Sequence, residues 1–373
     1  MALSQHERER YQRHLALAEI GAAGQERLKA ARVLVVGAGG LGSPAALYLA
    51  AAGCGTLGLL DCDRVELSNL QRQVLFDTGA LTRSKAEAGR ERLTTLNPDI
   101  RVIAHAVELR AANVMQLVSG YDLVLDGSDR LATRYLVNDA CVLLGRALVS
   151  AAIHRFEGQV MTYVPGQGPC YRCAFPHAAD GLVANCAQAG VLGVLPGVLG
   201  TLQATEAIKL ITGAGEPLIG RLLTYDALAM SFSEFRVRRR RDCAVCGDSP
   251  SITQPMDAKP MADDSPTGIR QLSAAALAEL LRAGGAPLLV DVREPAEFAA
   301  GHLPGSLHIP LGELPQRLGE IPPGSAPVFI CRAGGRSMAA CQLALRARIA
   351  SPASLEGGLL AWSREVDPAL TVL

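Results

Sequence analysis

The stretch CRAGGRS, Cys331 to Ser337, sets a thiol at the mouth of a turn made of two glycines and two arginines. The apolar run VFIC delivers Cys331 to this turn, and the residues after it read as the start of a helix. Backbone N–H groups of residues 332–336, the helix N-terminus and the guanidinium groups are then expected to face the sulfur. Such surroundings lower a thiol's pKa and stabilise a bound anion, which suits a nucleophilic or sulfur-carrying cysteine. A second glycine-rich turn, VVGAGGLGS, comes near the other end of the chain. Gly37, Gly39 and Gly42 follow a strand and open a helix, and Asp61 comes at the spacing of a ribose-binding acid. Taken alone the pattern says nucleotide. An NAD-dependent dehydrogenase is the obvious rival, and a plain tight turn the lesser alternative.

The residues that follow favour ATP. DCDRVELSNLQRQ (61–73) delivers Asn69, Arg72 and Gln73, Lys85 begins the next helical run, and Asp129 ends YDLVLDGSD. A dinucleotide enzyme has no need of Arg and Lys gathered beside the phosphates. An enzyme attacking the α-phosphate of ATP does, because charge builds there as pyrophosphate leaves. An aspartate at the carboxyl end of a strand, where open sheets bind ligands, suits Mg²⁺.

Cys170-x-x-Cys173 and Cys243-x-x-Cys246 offer four thiolates, the tetrahedral set of a structural Zn²⁺. The alternatives are a disulfide or a redox CxxC, although neither pair reads as following a strand and opening a helix. Cys186, in VANCAQAGVLGVLPG, reads as a buried thiol or a nucleophile. Cys54, Cys62, Cys141 and Cys341 lie in apolar runs or at strand ends and read as core.

Residues 1 to about 247 resemble the MoeB/ThiF family, relatives of ubiquitin-activating enzymes that adenylate the C-terminal glycine of small β-grasp proteins. The likeness rests on RYQRH (10–14), GAGGLG (37–42), LLDCDRVELSNLQRQ (59–73), Lys85, LDGSD, EGQVMTY (157–163), PCYRC (169–173) and CAVCG (243–247). It implies an ATP site in which Gly37, Gly39, Gly40, Gly42, Asp61, Asp63 and Ser68 bind the nucleotide, Gly40 and Asp61 on the adenosine side. Asn69, Arg72 and Lys85 would contact phosphates, Asp129 would hold Mg²⁺, and Arg13 would reach the ATP of the partner subunit in a homodimer. The resemblance also implies zinc on the four paired cysteines, and at Cys186 a thiol that captures the activated glycine in some relatives. Two positions depart from the family: Arg130 stands where Asn usually follows the metal aspartate, and Gln188 where Glu is common.

Residues 269–373 resemble a rhodanese domain through DVREPAEF, GHLPGSLHIP and CRAGGRS, which implies a persulfide on Cys331. Phosphatases share that fold but place five residues between cysteine and arginine. Here four, Arg332 to Gly335, separate Cys331 from Arg336, and the tighter loop favours sulfur over a phosphate ester. Asp291 and Arg293 are expected to brace the loop.

Elements must position these groups. Ser4 with Glu7 is a capping-box pattern that should start a helix through Arg8, Arg10, Arg13 and Leu17. Apolar runs at 32–36, 56–61, 100–107 and 121–126 alternate with helical patterns at 43–53 and 84–96, predicting a parallel sheet covered on both faces. Residues 147–153 and 159–164 read as a further strand pair turned by Glu157 and Gly158. The Pro-, Asp- and Ser-rich 248–268 reads as a flexible linker. The expectation is α/β throughout: a Rossmann-like ATP-binding domain with a structural zinc site over 1–247, then a smaller α/β rhodanese domain over 269–373.

Lys plus Arg equals Asp plus Glu at 36 each, so no electrostatic footprint points to nucleic acid or an anionic membrane. The basic run RVRRRR (236–241) reads as a solvated strand end or an anion-facing patch. MALSQHERERYQRH is no secretory signal, and AGVLGVLPGVLG (189–200) is too short to span a bilayer. Ten cysteines in such a chain suggest metal and catalysis, and a cytoplasmic location is expected.

The two ends complete one reaction. An acyl-adenylate is an electrophile, and a Cys331 persulfide is the nucleophile that converts it to a thiocarboxylate. About twenty flexible residues, with an r.m.s. reach of roughly 25 Å, would hold the reactants at an effective concentration on the order of mM. The expected partner is a β-grasp sulfur carrier such as the small subunit of molybdopterin synthase, with a sulfur donor such as a cysteine desulfurase. A thiamine carrier or a ubiquitin-related modifier of tRNA thiolation would use the same chemistry. A rhodanese-like domain that only binds or senses is the alternative from another class.

Overall fold

The computed structural model describes residues 2–176, 190–257, 269–284 and 287–372. Cys186, Gln188 and residues 258–268 of the expected linker lie outside the described residues. Those described fall into two compact units, one built from residues up to 176 together with 190–257, the other from 269 onward.

The first unit is organised by one eight-stranded sheet. Its strands are β1 (Arg32–Val36), β2 (Thr56–Leu60), β3 (Arg101–His105), β4 (Leu123–Asp126), β5 (Ala147–His154), β6 (Glu157–Tyr163), β7 (Arg221–Asp226) and β8 (Ser231–Arg236). They lie in the order β3-β2-β1-β4-β5-β6-β7-β8. Only the first five strands are parallel; β5 to β8 pair antiparallel, so the sheet is mixed. Alternate residues of β1 enter opposite cores, Val33 and Val35 one way, Leu34 and Val36 the other. Burial on both faces is what near-continuous apolar strands require. The chain leaves β1 to one side for β2 and β3, then crosses to the other for β4. This switch point opens a crevice at the strands' carboxyl ends.

Three local readings are corrected. The Ser4 capping box forms, but the helix stops at Arg10 and a separate turn, Gln12–Leu15, carries Arg13. Tyr11 breaks it, because its ring is drawn into the core against Gly53 and its hydroxyl accepts from Asn97 at 2.8 Å. The turn between β5 and β6 falls at Arg155 and Phe156, with Arg155 at φ 53°, and Glu157 and Gly158 belong to the strand. Cys170 caps a single helical turn, Tyr171–Ala174, so one cysteine pair does open a helix.

The second unit is a five-stranded parallel sheet of β9 (Arg270–Leu272), β10 (Leu289–Asp291), β11 (Leu307–His308), β12 (Val328–Ile330) and β13 (Ala353–Leu355). The order is β11-β10-β12-β13-β9, with β12 central. Val328 and Ile330 face one core and Phe329 the other, so this sheet too is covered twice. No helix among the described residues is long and apolar enough to cross a membrane.

Candidate functional site

The glycine turn joins β1 to the helix Gly42–Ala51. Gly37 takes φ +85°, where a side chain is strained, and a Cβ there would lie 3.1 Å from the Gly127 carbonyl after β4. A Cβ on Gly42 would run into the carbonyl of Gly37, so the helix starts directly on the turn. Asp61, just past β2, ties this turn to the next segment. Its carboxylate accepts the Ala38 N–H and the Asp63 N–H, each at 2.8 Å. Burial raises the Asp61 pKa, against the pull of Lys85 and the two amides.

Gly37, Gly39, Gly40, Asp61, Asp63, Arg72, Lys85 and Asp129 line one cleft at this switch point. Lys85, 6% exposed at the start of the helix Lys85–Leu96, meets Asp63 at 3.1 Å. The Arg72 guanidinium donates to the Ser68 carbonyl at 3.0 Å. Buried Asn69 accepts the Glu66 N–H at 3.4 Å and so shapes the turn behind Arg72. Ser68, Asn69, Gly42 and Arg13 stand outside the lining, and Arg13 is exposed.

Sequence reasoning missed several groups here. Arg134, 9% exposed, reaches the Ser128 carbonyl at 2.9 Å, while Glu108 and Thr133 join the wall with Arg130. All follow carboxyl ends of β3 and β4, a position the strand pattern could have flagged. Cys62, expected in the core, is exposed at the cleft because the chain leaves β2 before reaching it. Gln73 is 5% exposed, and its Oε1 has no partner among the described residues. The cleft carries Arg72, Lys85, Arg130 and Arg134 against Asp61, Asp63, Glu108 and Asp129. Charge of both signs in one crevice suits a polyanion that travels with a cation.

The four paired cysteines converge. Their sulfurs all lie within 4.8 Å of one another, with Cys170–Cys243 at 3.6 Å and Cys173–Cys246 at 3.4 Å. A tetrahedral zinc with bonds of about 2.3 Å needs sulfurs roughly 3.8 Å apart, so the set fits that ion. The Arg240 N–H donates to Cys173 at 3.3 Å, as amides do around thiolate ligands. The knuckle is bolted to the helix Leu131–Leu144. Tyr171 N–H donates to Asn138 at 2.8 Å, and Arg172 grips Asp139 through two bonds of 2.7 Å.

Cys331 directly follows β12 and is 1% exposed, packed in the core with Val290, Phe329 and Ala340. The Gly334 N–H donates to its sulfur at 3.1 Å, and the helix Gly335–Arg346 begins there with Gly334 at φ +95°. Arg336 forms a bidentate pair with Glu297, both bonds 2.7 Å. Asp291 and Arg293, both fully buried, pair with each other, and the Arg293 guanidinium donates to the Gly301 carbonyl at 2.7 Å. They therefore brace the turn after β10, and the Cys331 loop is held instead by Glu297 and by Gly358. A Cβ on Gly358 would strike the backbone of residues 331–333, and Leu359 N–H donates to the Cys331 carbonyl at 2.8 Å.

Residues 11–245 match the ThiF family, and residues 273–365 match the rhodanese-like domain. The chain is 44% identical over 398 residues to "Adenylyltransferase and sulfurtransferase MOCS3" of Sus scrofa, covering 98% of this chain and 88% of that one. It is 41% identical over 384 residues to "Probable adenylyltransferase/sulfurtransferase MoeZ" of Mycobacterium tuberculosis, covering 100% and 96%. Among solved structures it is similar to E. coli MccB with MccA-N7isoASN, at TM-score 0.58 and 25% identity over 64% of this chain and 74% of that one.

Proposed function

This chain belongs to the ThiF family, with a rhodanese-like domain in its C-terminal part, and from that premise we propose its reaction. It adenylates the C-terminal glycine of a small ubiquitin-like sulfur carrier and then transfers sulfur to it. The observation that carries this reading is the gathering of Arg72, Lys85 and Asp129 around the glycine turn at the switch point. Amides of the turn and the two cations take the phosphates, and Asp61 accepts from the ribose. The carrier's carboxylate attacks the α-phosphorus, pyrophosphate leaves, and the acyl-adenylate forms. Asp129 supplies a carboxylate for a Mg²⁺ that would neutralise phosphate charge. Arg13, exposed on its own short turn, would serve the nucleotide of a partner subunit in a homodimer.

The second half-reaction belongs to Cys331. A donor such as a cysteine desulfurase leaves one sulfane sulfur on it as Cys331–S–SH. The terminal sulfur attacks the acyl carbon, AMP leaves, and an acyl disulfide joins carrier to enzyme. One thiol attacks the Cys331 sulfur and expels the thiocarboxylate, leaving a mixed disulfide, and a second thiol displaces Cys331 from it as the thiolate while the two thiols leave joined as a disulfide. Gly334 N–H stabilises the anionic sulfur left on Cys331. Zinc on Cys170, Cys173, Cys243 and Cys246 staples the fold and takes no part in the chemistry. We place the carrier first in molybdenum cofactor synthesis, with thiamine synthesis and tRNA thiolation as alternatives, and the reaction in the cytoplasm.

Cys331→Ala is expected to keep ATP–pyrophosphate exchange and lose thiocarboxylate formation, read by intact mass of the carrier as oxygen replaced by sulfur. Loss of exchange as well would refute this division of labour. The depth of Cys331 and the engagement of Arg336 by Glu297 favour a second reading, a rhodanese-like unit that only binds. Incubation with thiosulfate and cyanide separates the two, since a binding unit releases no thiocyanate.

A further inference from the structure

The geometry points to Arg130 as a guanidinium that binds the polyphosphate of the nucleotide, an inference that rests on reading the cleft as an ATP site. Arg130 is the N-cap of the helix Leu131–Leu144, with φ −97° and ψ 123°, and its side chain makes no capping hydrogen bond. N-cap positions select Ser, Thr, Asp or Asn, whose oxygens accept from the first amides. The same end of the helix carries partial positive charge and repels a cation. Arg130 breaks both rules, and Arg134 adds a second cation one turn on. Residues that break local rules without internal compensation mark sites built for something else.

Compensation inside the protein is weak. Arg130 meets Glu108 at 3.6 Å, beyond a good hydrogen bond. The other Glu108 oxygen already takes two bonds from Arg110, at 3.0 and 2.5 Å. The Arg130 side chain is 62% exposed, so it is free to turn, and the residue lines the cleft next to Asp129 and in company with Arg72 and Lys85. Gln73 supplies an independent sign that this wall awaits a ligand: it is buried in the same lining with its Oε1 unpartnered. A phosphate chain in the cleft would offer the helix N-terminus and Arg130 the anion that both lack.

Arg130→Asn tests this cleanly, because asparagine is a favoured N-cap and removes only the cation. Calorimetric titration of the full chain would measure ATP and adenosine binding, with Tm as the control for folding. The dissociation constant for ATP should rise about 5- to 20-fold, as for loss of a charge-assisted bond at a partly solvated site. Adenosine should change by less than about twofold, and Tm should hold or rise. Glu108→Gln, which removes the competing carboxylate, should bind ATP no more weakly than the parent. Unchanged ATP affinity in Arg130→Asn would overturn the inference. So would equal weakening for ATP and adenosine, which would mean stacking on the base, or a fall in Tm that tracks the lost affinity. If the parent chain itself binds neither ligand, it is the reading of the cleft that fails.

Discussion

At the scale of single residues, environment separates thiols and carboxylates that look alike in the sequence. Burial pushes the Cys54 and Cys341 thiols up to about 12, and raises Cys141 as well. Cys62 is raised too, by burial and then by Asp63 and Asp61, yet it is exposed at the cleft. An alkylating reagent should therefore label Cys62 well before Cys54, Cys141 or Cys341, and ATP should protect it; peptide mass mapping with and without nucleotide checks both. Glu297 shows the opposite balance. Burial works to raise its pKa, but the bidentate Arg336 and the Glu294 N–H outweigh it and hold the carboxyl below its ordinary 4.5. A depressed acid stabilises the fold above its unfolded pKa, and that contribution is lost as pH falls through the folded value. The second unit should accordingly weaken below about pH 4.5, and Glu297→Gln should cost roughly 1–3 kcal/mol at neutral pH and flatten that dependence, by denaturant titration at several pH values.

At the scale of elements, contact geometry decides what a substitution does. Gly42→Ala would force the helix off the glycine turn, since the added methyl meets the Gly37 carbonyl. A loss of more than about 3 kcal/mol, or failure to fold, is expected, against roughly 1 kcal/mol for an ordinary substitution. Asn97→Ala should cost about 2–3 kcal/mol, because it strands the buried Ala50 carbonyl and the Tyr11 hydroxyl. These cases also show what could be read in advance. Strands, the glycine turn and the cysteine knuckles were legible because period-two apolarity, glycine spacing and paired ligands are local in sequence. The break at Tyr11 was not, since it is set by the distant contact of Gly53 against the Tyr11 ring. Glu297 was hidden for the same reason. Its partner, Arg336, is found only once the sheet is assembled.

At the scale of the whole molecule, each unit has cores on both faces of its own sheet. Calorimetry should resolve two unfolding transitions, and a zinc chelator should lower only that of the first unit. Because Arg172 and Tyr171 clamp the knuckle to the helix that begins at Leu131, metal removal should also weaken nucleotide binding before that unit melts. A different consequence follows from the depth of Cys331. A thiol that leaves only 1% of its residue to solvent is sheltered from peroxide and stray electrophiles, so Cys331 should outlast Cys62 under oxidation.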